Sequence, residues 1–494
     1  MNLDVHKDYY NVLGVSPDAT EEEIKQAYRA LARRYHPDSR TESVPTTLFH
    51  ELQAAYAVLG DKELRRAYDL QRAELGLGHV TALSWKFYQS RTHLSSLHPE
   101  QLLYLMCEIR PTVAAGKRLP LNLCLVIDRS TSMQGARLEN VKRAACQIIE
   151  ELGQEDALAI VAFSDRAEVV FPSTQGANLA QARAKITALL PSGGTEILQG
   201  LQLGLAEVEK RHGSNMVSHL ILLTDGQTYG DDEACVAFAR MAGERKVGIT
   251  SLGIGEDWND VLLDRVAAQS GGTVAYISSP EQVQSLLRKR VLELGKVVAQ
   301  GVRLEFKCVE GVLIESLYRA LPSMERLSIS SDVVELGFLN LDEPIVIVAE
   351  VGVSAMPPGD HRLMRIELTA DVIGIGKERQ RERLRGEVSC IFLPDPPEEH
   401  APGELLQVLS KVTIYRMQEQ AWEALERGHV RDATSKLEML ATRLLDMGET
   451  GLARAAMLEA GRIVQGEPPT PKGRKELKYG TRGLITSLWR KSDD

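Results

Sequence analysis

The sequence predicts a multidomain protein: an all-α module at the N-terminus, a doubly wound α/β domain inserted in an antiparallel β-sandwich, and a C-terminal helical region. A chain of 494 residues is too long for one hydrophobic core and indicates about three domains. Apolar residues recur at helical spacing near both ends of the chain. In the middle, short apolar runs alternate with helical segments, which is typical of a parallel sheet covered by helices.

The composition is that of an ordinary globular chain, with 44% apolar and 26% charged residues. The formal net charge of -10 argues against nucleic acid as the main partner. Residues 1–7 lack an apolar signal core, and the longest apolar runs are too short to span a bilayer. The cysteines form no CxxC pair, which predicts reduced thiols. We therefore expect a cytoplasmic protein with no membrane partner.

Residues 1–72 are predicted to form a small helical module, followed by a linker at 73–80. Thr20 and Glu23 match a capping box, which begins a helix near residue 21. Pro37 biases the preceding His36 away from helical angles, so this helix ends there. A second apolar-periodic run follows, and two antiparallel helices would place His36-Pro37-Asp38 on the loop that joins them. Three basic residues share one face of the first helix and are called the basic stripe below: Lys25, Arg29 and Arg33.

These motifs resemble the J domain of the DnaJ family over nearly the whole module. The matching segments are Asp8-Tyr9-Tyr10-x-Val12-Leu13-Gly14-Val15, Ala27-Tyr28-Arg29-x-Leu31-Ala32, Tyr35-His36-Pro37-Asp38 and Arg66-Ala67-Tyr68-Asp69. The resemblance implies that His36, Pro37 and Asp38 trigger ATP hydrolysis by a DnaK-type chaperone and that the basic stripe docks on that chaperone. Ser39 departs from the family, in which Lys is common at this position. No Gly/Phe-rich stretch and no zinc-binding cysteine repeats follow, as in class C J proteins.

Residues 120–292 are predicted to form the α/β domain, with buried strands at 121–127, 219–224 and 247–253. Segments 138–152 and 198–208 are predicted helices, and 157–163 with 167–171 a hairpin. Ligands of such sheets bind at the carboxyl ends of the strands. Asp128 and Asp225 each follow a strand, and Thr195 lies in a Gly-rich loop before a helix. We expect them to converge with Ser130 and Ser132.

Carboxylate and hydroxyl oxygens of this kind suit Mg²⁺ or Mn²⁺. With few charged ligands the metal would stay electrophilic, and an open position would favour a carboxylate from another protein. The pattern Asp128-x-Ser130-x-Ser132 with Thr195 and Asp225 resembles a von Willebrand factor A domain with a complete metal-ion-dependent adhesion site. The resemblance implies that the serines and the threonine ligate the metal and that Asp225 acts mostly through water. The residues expected at the rim, where a partner would be selected, are Arg129, Thr131, Met133, Gln134, Glu196 and Tyr229.

The remaining segments are predicted from alternating apolar and polar residues and from a proline-rich stretch. Residues 81–119 and 297–393 read as the two parts of one antiparallel β-sandwich, with the role of a scaffold or of a client surface. A proline-rich linker at 394–402 leads to a helical hairpin at 403–466. The basic tail at 467–494 is interpreted as a solvated extension that partly packs back.

Together these features predict an adaptor and not an enzyme: a J-domain co-chaperone that binds a protein client through a metal-dependent A domain. The chain has no Walker motif, so the ATPase would belong to the partner. One alternative is an adaptor for a hexameric ATPase, with the J module as a secondary regulator. Another is a metal-dependent hydrolase, which needs an activated water and a base. No His stands next to the proposed ligands in the sequence.

Overall fold

The computed structural model describes residues 9–13, 15, 19–34, 46–74, 83–112, 119–176, 179–213, 216–228, 230–327, 332–372 and 380–484. The chain divides into two compact units, residues 1–82 and 83–494. Each is described by itself below.

The described residues of the N-terminal unit form helices. Their bounds are α1 Tyr9–Leu13, α2 Glu21–Arg34, α3 Thr46–Leu59 and α4 Lys62–Glu74. The expected capping box is present, because the Glu23 N–H donates to Thr20 Oγ1 (3.3 Å) and the Thr20 N–H donates to Glu23 Oε2 (2.7 Å). Ile24, Leu52 and Leu59 are buried between the helices. The apolar stripes of α2 and α3 therefore meet as the sequence predicts.

The second unit begins with three strands, β1 Leu83–Gln89, β2 His93–Ser95 and β3 Glu100–Pro111. A six-stranded sheet follows within the described chain, with order β6-β5-β4-β7-β8-β9. Its strands are β4 Leu121–Asp128, β5 Ala157–Phe163, β6 Ala167–Gln175, β7 Val217–Thr224, β8 Gly248–Ile254 and β9 Val274–Ile277. β4 pairs in parallel with both β5 and β7, and β6 is antiparallel to β5.

Helices cover both faces of this sheet. They are α5 Ala136–Glu151, α6 Leu179–Thr187, α7 Ile197–Glu209, α8 Asp232–Glu244, α9 Asp260–Ser270 and α10 Gln282–Leu294, with a 3₁₀ turn at Thr131–Met133. Leu123 and Leu125 of β4 pack with α5 and α10, whereas Cys124 and Val126 pack with α7 and α8. Successive residues of a strand point to opposite faces, so a continuous apolar strand fills two cores. This is the predicted doubly wound arrangement.

Strands on both sides of the α/β domain form two further sheets of the described chain. The later strands are β10 Val297–Cys308, β11 Val312–Leu321, β12 Glu325–Arg326, β13 Val333–Asn340, β14 Ile345–Ser354, β15 Gly359–Val372 and β16 Gln380–Leu393. The sheet orders are β1-β3-β14-β11-β12 and β13-β10-β15-β16-β2. β3 pairs antiparallel with β14, so strands before and after the α/β domain share one sheet. The pair β2–β16 is parallel and departs from the purely antiparallel prediction.

The chain ends in a helical region with α11 Gly403–Glu426, α12 Val430–Asp446, α13 Thr450–Val464 and α14 Pro471–Gly483. α14 lies inside the segment predicted as a solvated basic extension that partly packs back, and it packs more closely than predicted. Leu477 is fully buried, and Lys475 is 4% exposed. Three basic side chains of α14 contact acidic, aromatic or carbonyl groups of the α/β domain, namely Lys475, Lys478 and Arg482.

Candidate functional site

The carboxyl edge of the six-stranded sheet brings two carboxylates together. β4 ends at Asp128, and β7 ends at Thr224, directly before Asp225. The two strands are parallel neighbours with Ile127 opposite Leu223, so their ends meet at the same edge. Asp128 and Asp225 are both buried.

Asp128 is held in place by two donors. The Ser130 N–H donates to Asp128 Oδ1 at 2.8 Å, and the Thr224 hydroxyl donates to Asp128 Oδ2 at 2.6 Å. Burial raises the pKa of Asp128 to about 6, although the hydrogen bonds from Thr224 and Ser130 act in the opposite direction. A buried carboxylate with this environment gains from a nearby cation, because a positive charge offsets the cost of desolvation.

The hydroxyl groups predicted as ligands lie beside these carboxylates. Ser130 Oγ and Ser132 Oγ are 2.9 Å apart, and Ser132 Oγ donates to Asp225 Oδ1 at 2.7 Å. Thr195 reaches the same place from the loop before α7, since a Cβ added to Gly226 would lie 2.9 Å from Thr195 Oγ1. The structure thus brings Asp128, Ser130, Ser132 and Asp225 together from segments that are up to 97 positions apart in the sequence, and it places Thr195 beside Gly226.

The geometry of these oxygens can be compared with that of a hard cation. Octahedral Mg²⁺ with ligands at about 2.1 Å has neighbouring oxygens about 3 Å apart, which is close to the 2.9 Å and 2.7 Å separations along Ser130, Ser132 and Asp225. In the part of the chain that the structure describes, no group of three or more His, Cys, Asp or Glu is placed to hold a metal ion. A cation at this edge would therefore depend on hydroxyl oxygens, and the residues present fit one.

One residue of the site was missed by the sequence reasoning. Arg137, in the first turn of α5, forms an ion pair with Asp225 Oδ2, and its Nη1 lies 3.4 Å from the Ser132 carbonyl oxygen. Asp225 has no exposed side-chain surface, whereas the Arg137 side chain is 31% exposed. The signal that points to Arg137 is its spacing, because a helix that begins just after the serine motif returns its first turn toward that motif.

The predicted rim residues have different environments. Arg129 forms an ion pair with Glu168 (3.2 Å), and Glu196 is half-buried at the start of α7. Thr131 and Gln134 are exposed. Met133 is fully buried, so its assignment to the rim is wrong, because the 3₁₀ turn points it into the core. Tyr229 lies outside the described residues.

The chaperone-docking residues fall on the first unit. His36, Pro37 and Asp38 lie outside the described residues. On α2, Lys25 is half-buried and Arg29 is exposed, while the side chain of Arg33 lies outside the described residues. The basic stripe and the trigger therefore stay predictions from the sequence.

Comparison with known families assigns three segments. Residues 8–69 match the DnaJ domain, and residues 122–289 match the von Willebrand factor type A domain. Residues 403–487 match the Sll0103-like, C-terminal alpha-helical domain. The chain carries a DnaJ domain and a von Willebrand factor type A domain. Both predicted resemblances are confirmed at this level.

Within the described residues, no helix combines the length and apolar character needed to cross a membrane.

Individual proteins resemble different parts of the chain. The uncharacterized protein sll0103 of Synechocystis sp. is 29% identical over 399 residues, covering 76% of this chain and 92% of that protein. The chaperone protein DnaJ of Synechococcus sp. is 49% identical over 81 residues, which span 16% of this chain and only 20% of that protein. The solved von Willebrand factor type A protein from Catenulispora acidiphila has a TM-score of 0.65 at 17% identity, covering 81% of this chain and 96% of that one, and shows the fold alone.

Proposed function

We propose that this protein is a J-domain co-chaperone that works as an adaptor. Its A domain binds a protein client through Mg²⁺ or Mn²⁺, and its J domain recruits a DnaK-type chaperone and stimulates the ATPase of that chaperone. The observation that carries the proposal is the convergence of Asp128, Ser130, Ser132 and Asp225 at one sheet edge, in a chain that also matches a DnaJ domain. No catalytic role is assigned to the chain itself.

The metal site is the client-binding element of this proposal. Ser130, Ser132 and Thr195 would hold the cation with neutral oxygens, and Asp128 and Asp225 would supply the charge. The bound metal would supply an electrophilic coordination position for an acidic side chain of the client. Support comes from the oxygen spacing and from the short hydrogen bonds that already fix both carboxylates. Client choice would depend on exposed neighbours such as Thr131 and Gln134.

The J domain is the motor-recruiting element. His36, Pro37 and Asp38 would trigger hydrolysis, and the basic stripe would dock electrostatically on the chaperone. The match of residues 8–69 to the DnaJ domain supports this role. The described cysteines are free thiols, which suits the reducing cytoplasm in which we place the protein. Neither nucleic acid nor a membrane is part of the proposed assembly.

The other segments would present these two elements. We infer that the two five-stranded sheets act as one β-sandwich scaffold, formed by 81–119 and 297–393 around an A domain at 120–292. The contact of Gly386 with Trp85 and Phe87 supports this, since a Cβ on Gly386 would lie 3.1 Å from the Phe87 ring. The J domain at 1–72 precedes a short linker at 73–80, and a linker at 394–402 leads to the helices.

A pull-down from native lysate tests client binding. The full chain serves as bait in Mg²⁺, in EDTA and as Asp128→Ala, with the exposed Asp446→Ala as the matched control. We expect a protein that is captured in Mg²⁺ by the wild type and by the control, and lost in EDTA and with Asp128→Ala. Identical captures in every arm would show that the metal site does not select clients.

A steady-state phosphate assay tests motor recruitment. A DnaK-type chaperone is assayed alone, with the wild type and with His36→Gln. We expect stimulation by the wild type and none by the variant, because the loop carries the trigger. Equal stimulation by both proteins would refute the proposal that His36 triggers ATP hydrolysis. It would leave the proposal for the metal site unaffected.

A further inference from the structure

Arg137 places a permanent positive charge inside the proposed metal site. Its guanidinium forms an ion pair with Asp225 Oδ2, and its Nη1 lies 3.4 Å from the carbonyl oxygen of Ser132. Asp225 Oδ1 accepts the Ser132 hydroxyl at 2.7 Å, so the two oxygens of one buried carboxylate are shared between the arginine and the ligand set. An arginine stays charged at any physiological pH.

The backbone at the end of β8 lies close to this arginine. Gly255 has a positive φ of 77°, and a Cβ added there would lie 3.1 Å from Arg137 Nη2. The Trp258 indole N–H donates to the Gly255 carbonyl at 2.9 Å, which fixes the loop against the guanidinium. The nearest other carboxylate is Asp257, whose Oδ2 is 3.9 Å from Nη2 and whose side chain is 76% exposed. Asp225 is therefore the main carboxylate partner of Arg137.

The charge balance of the site follows from these contacts. Asp128 and Asp225 contribute two negative charges and Arg137 one positive charge, which together give a formal charge of minus one. Asp257 is not counted, because its carboxylate is mostly exposed and screened by water. A divalent cation brings it to plus one, and a carboxylate from a partner then brings it to zero. Without the arginine the same steps would run from minus two to zero and then to minus one. A difference of one unit in the charge of the site changes the binding free energies of the metal and the carboxylate, because charges interact more strongly where water is excluded.

We propose that Arg137 is a resident countercharge that makes the metal and an acidic partner bind together. It weakens the binding of the divalent cation alone, because like charges repel in the buried site. It strengthens the binding of a carboxylate to the metal-loaded site, which has a net positive charge. This inference rests on the proposed metal-dependent function and specifies how that site is regulated.

The binding of the metal and the binding of the carboxylate are linked by thermodynamics. If the metal raises the affinity for a carboxylate, the carboxylate raises the affinity for the metal by the same factor. Such a site stays poorly loaded until an acidic partner arrives and then holds both ligands. The expected partner is thus a protein with an exposed carboxylate that neutralises the metal-loaded site. The metal would be bound tightly only when this partner is present.

Calorimetric titration of the full chain with MgCl₂ tests the proposal, in acetate and in chloride at matched ionic strength. We expect acetate to tighten Mg²⁺ binding to the wild type. Arg137→Gln should bind Mg²⁺ about tenfold more tightly in chloride, a typical coupling between sites, and should show a smaller acetate effect than the wild type. Arg137→Lys keeps the charge and should behave as the wild type. Arg143→Gln, an exposed position on the same helix, is the matched control.

A second measurement guards against loss of the fold in the variants. Mg²⁺ that binds the native state raises the thermal unfolding midpoint, and this shift should be larger for Arg137→Gln than for the wild type. Unchanged or weaker Mg²⁺ binding by Arg137→Gln would overturn the inference, and so would Arg137→Lys behaving like Arg137→Gln. Absence of Mg²⁺ binding in the wild type and in every variant would instead remove the metal site itself, and the inference with it.

Discussion

Replacement of Asp264 by Asn should release α14 from the A domain. Asp264 lies on α9, and its carboxylate binds three side chains of α14 through hydrogen bonds and ion pairs. The Arg482 guanidinium donates to both oxygens at 2.6 and 2.8 Å, Lys478 Nζ lies 2.8 Å from Oδ2, and the Tyr479 hydroxyl is 3.2 Å from Oδ1. One carboxylate thus contacts three side chains of a helix that lies more than 200 residues later in the chain.

The size of the effect follows from burial. The side chains of Asp264, Lys478 and Arg482 are 18%, 15% and 13% exposed. Burial alone would raise the pKa of Asp264, but Arg482 and Lys478 hold it below the ordinary value, so the carboxyl is charged at neutral pH. Removal of one partner from a buried ion pair costs about 3–5 kcal/mol. Asn retains an acceptor, and Lys478 still has Asp260, so we expect the lower end, about 3 kcal/mol.

Hydrogen exchange of the α14 amides measures this local opening directly. A loss of about 3 kcal/mol corresponds to exchange that is about a hundredfold faster. The matched control is Glu233→Gln, because Arg265 binds Glu233 in the same bidentate manner, at 2.7 and 2.8 Å. That carboxylate is 81% exposed, so its loss should leave α14 unchanged. Equal α14 exchange in wild type and Asp264→Asn would refute the reasoning.

Three further predictions concern stability and docking. Burial lowers the pKa of His219 to about 3, so the unfolded state binds more protons than the folded state below about pH 6.5. The free energy of unfolding measured in urea should therefore fall as the pH drops below about 6.5. His219→Gln should make this pH dependence weaker. Gly253→Ala would place a Cβ 2.1 Å from the Trp258 ring and should cost about 1–3 kcal/mol in denaturant unfolding, whereas Gly461→Ala, with open space, should not destabilise. Docking of the basic stripe on a DnaK-type chaperone should weaken with added salt, and a salt-independent affinity would contradict the electrostatic model.

The sequence predicted those features that depend on neighbours along the chain. The apolar runs of β4 and β7 end at Asp128 and just before Asp225, and the parallel arrangement of strands alone then brings the two residues to one edge. The capping box at Thr20 and Glu23 likewise needs only local spacing. These signals are encoded within a few residues, so they survive without knowledge of tertiary packing.

The features that the sequence did not predict depend on partners far along the chain. Lys475 belongs to a run of basic residues that looks solvated, yet its ammonium lies 4.5 Å above the Trp258 ring and donates to the Trp258 carbonyl at 2.8 Å. Arg137 looks like any exposed helical arginine until the ends of β7 and β8 are placed beside it. Charge patterns reveal that a side chain carries a charge but not which opposite charge faces it.

The loop between β8 and α9 connects these two unpredicted features. Its Gly255 carries the close contact with Arg137, and its Trp258 receives the ammonium of Lys475 from α14. Lys475 also donates to the carbonyl oxygen of Glu256 within the same loop. This loop therefore lies between Arg137 on one side and the ammonium of Lys475 on the other. With the guanidinium paired to Asp225, its charge would act directly on a metal bound at the proposed site.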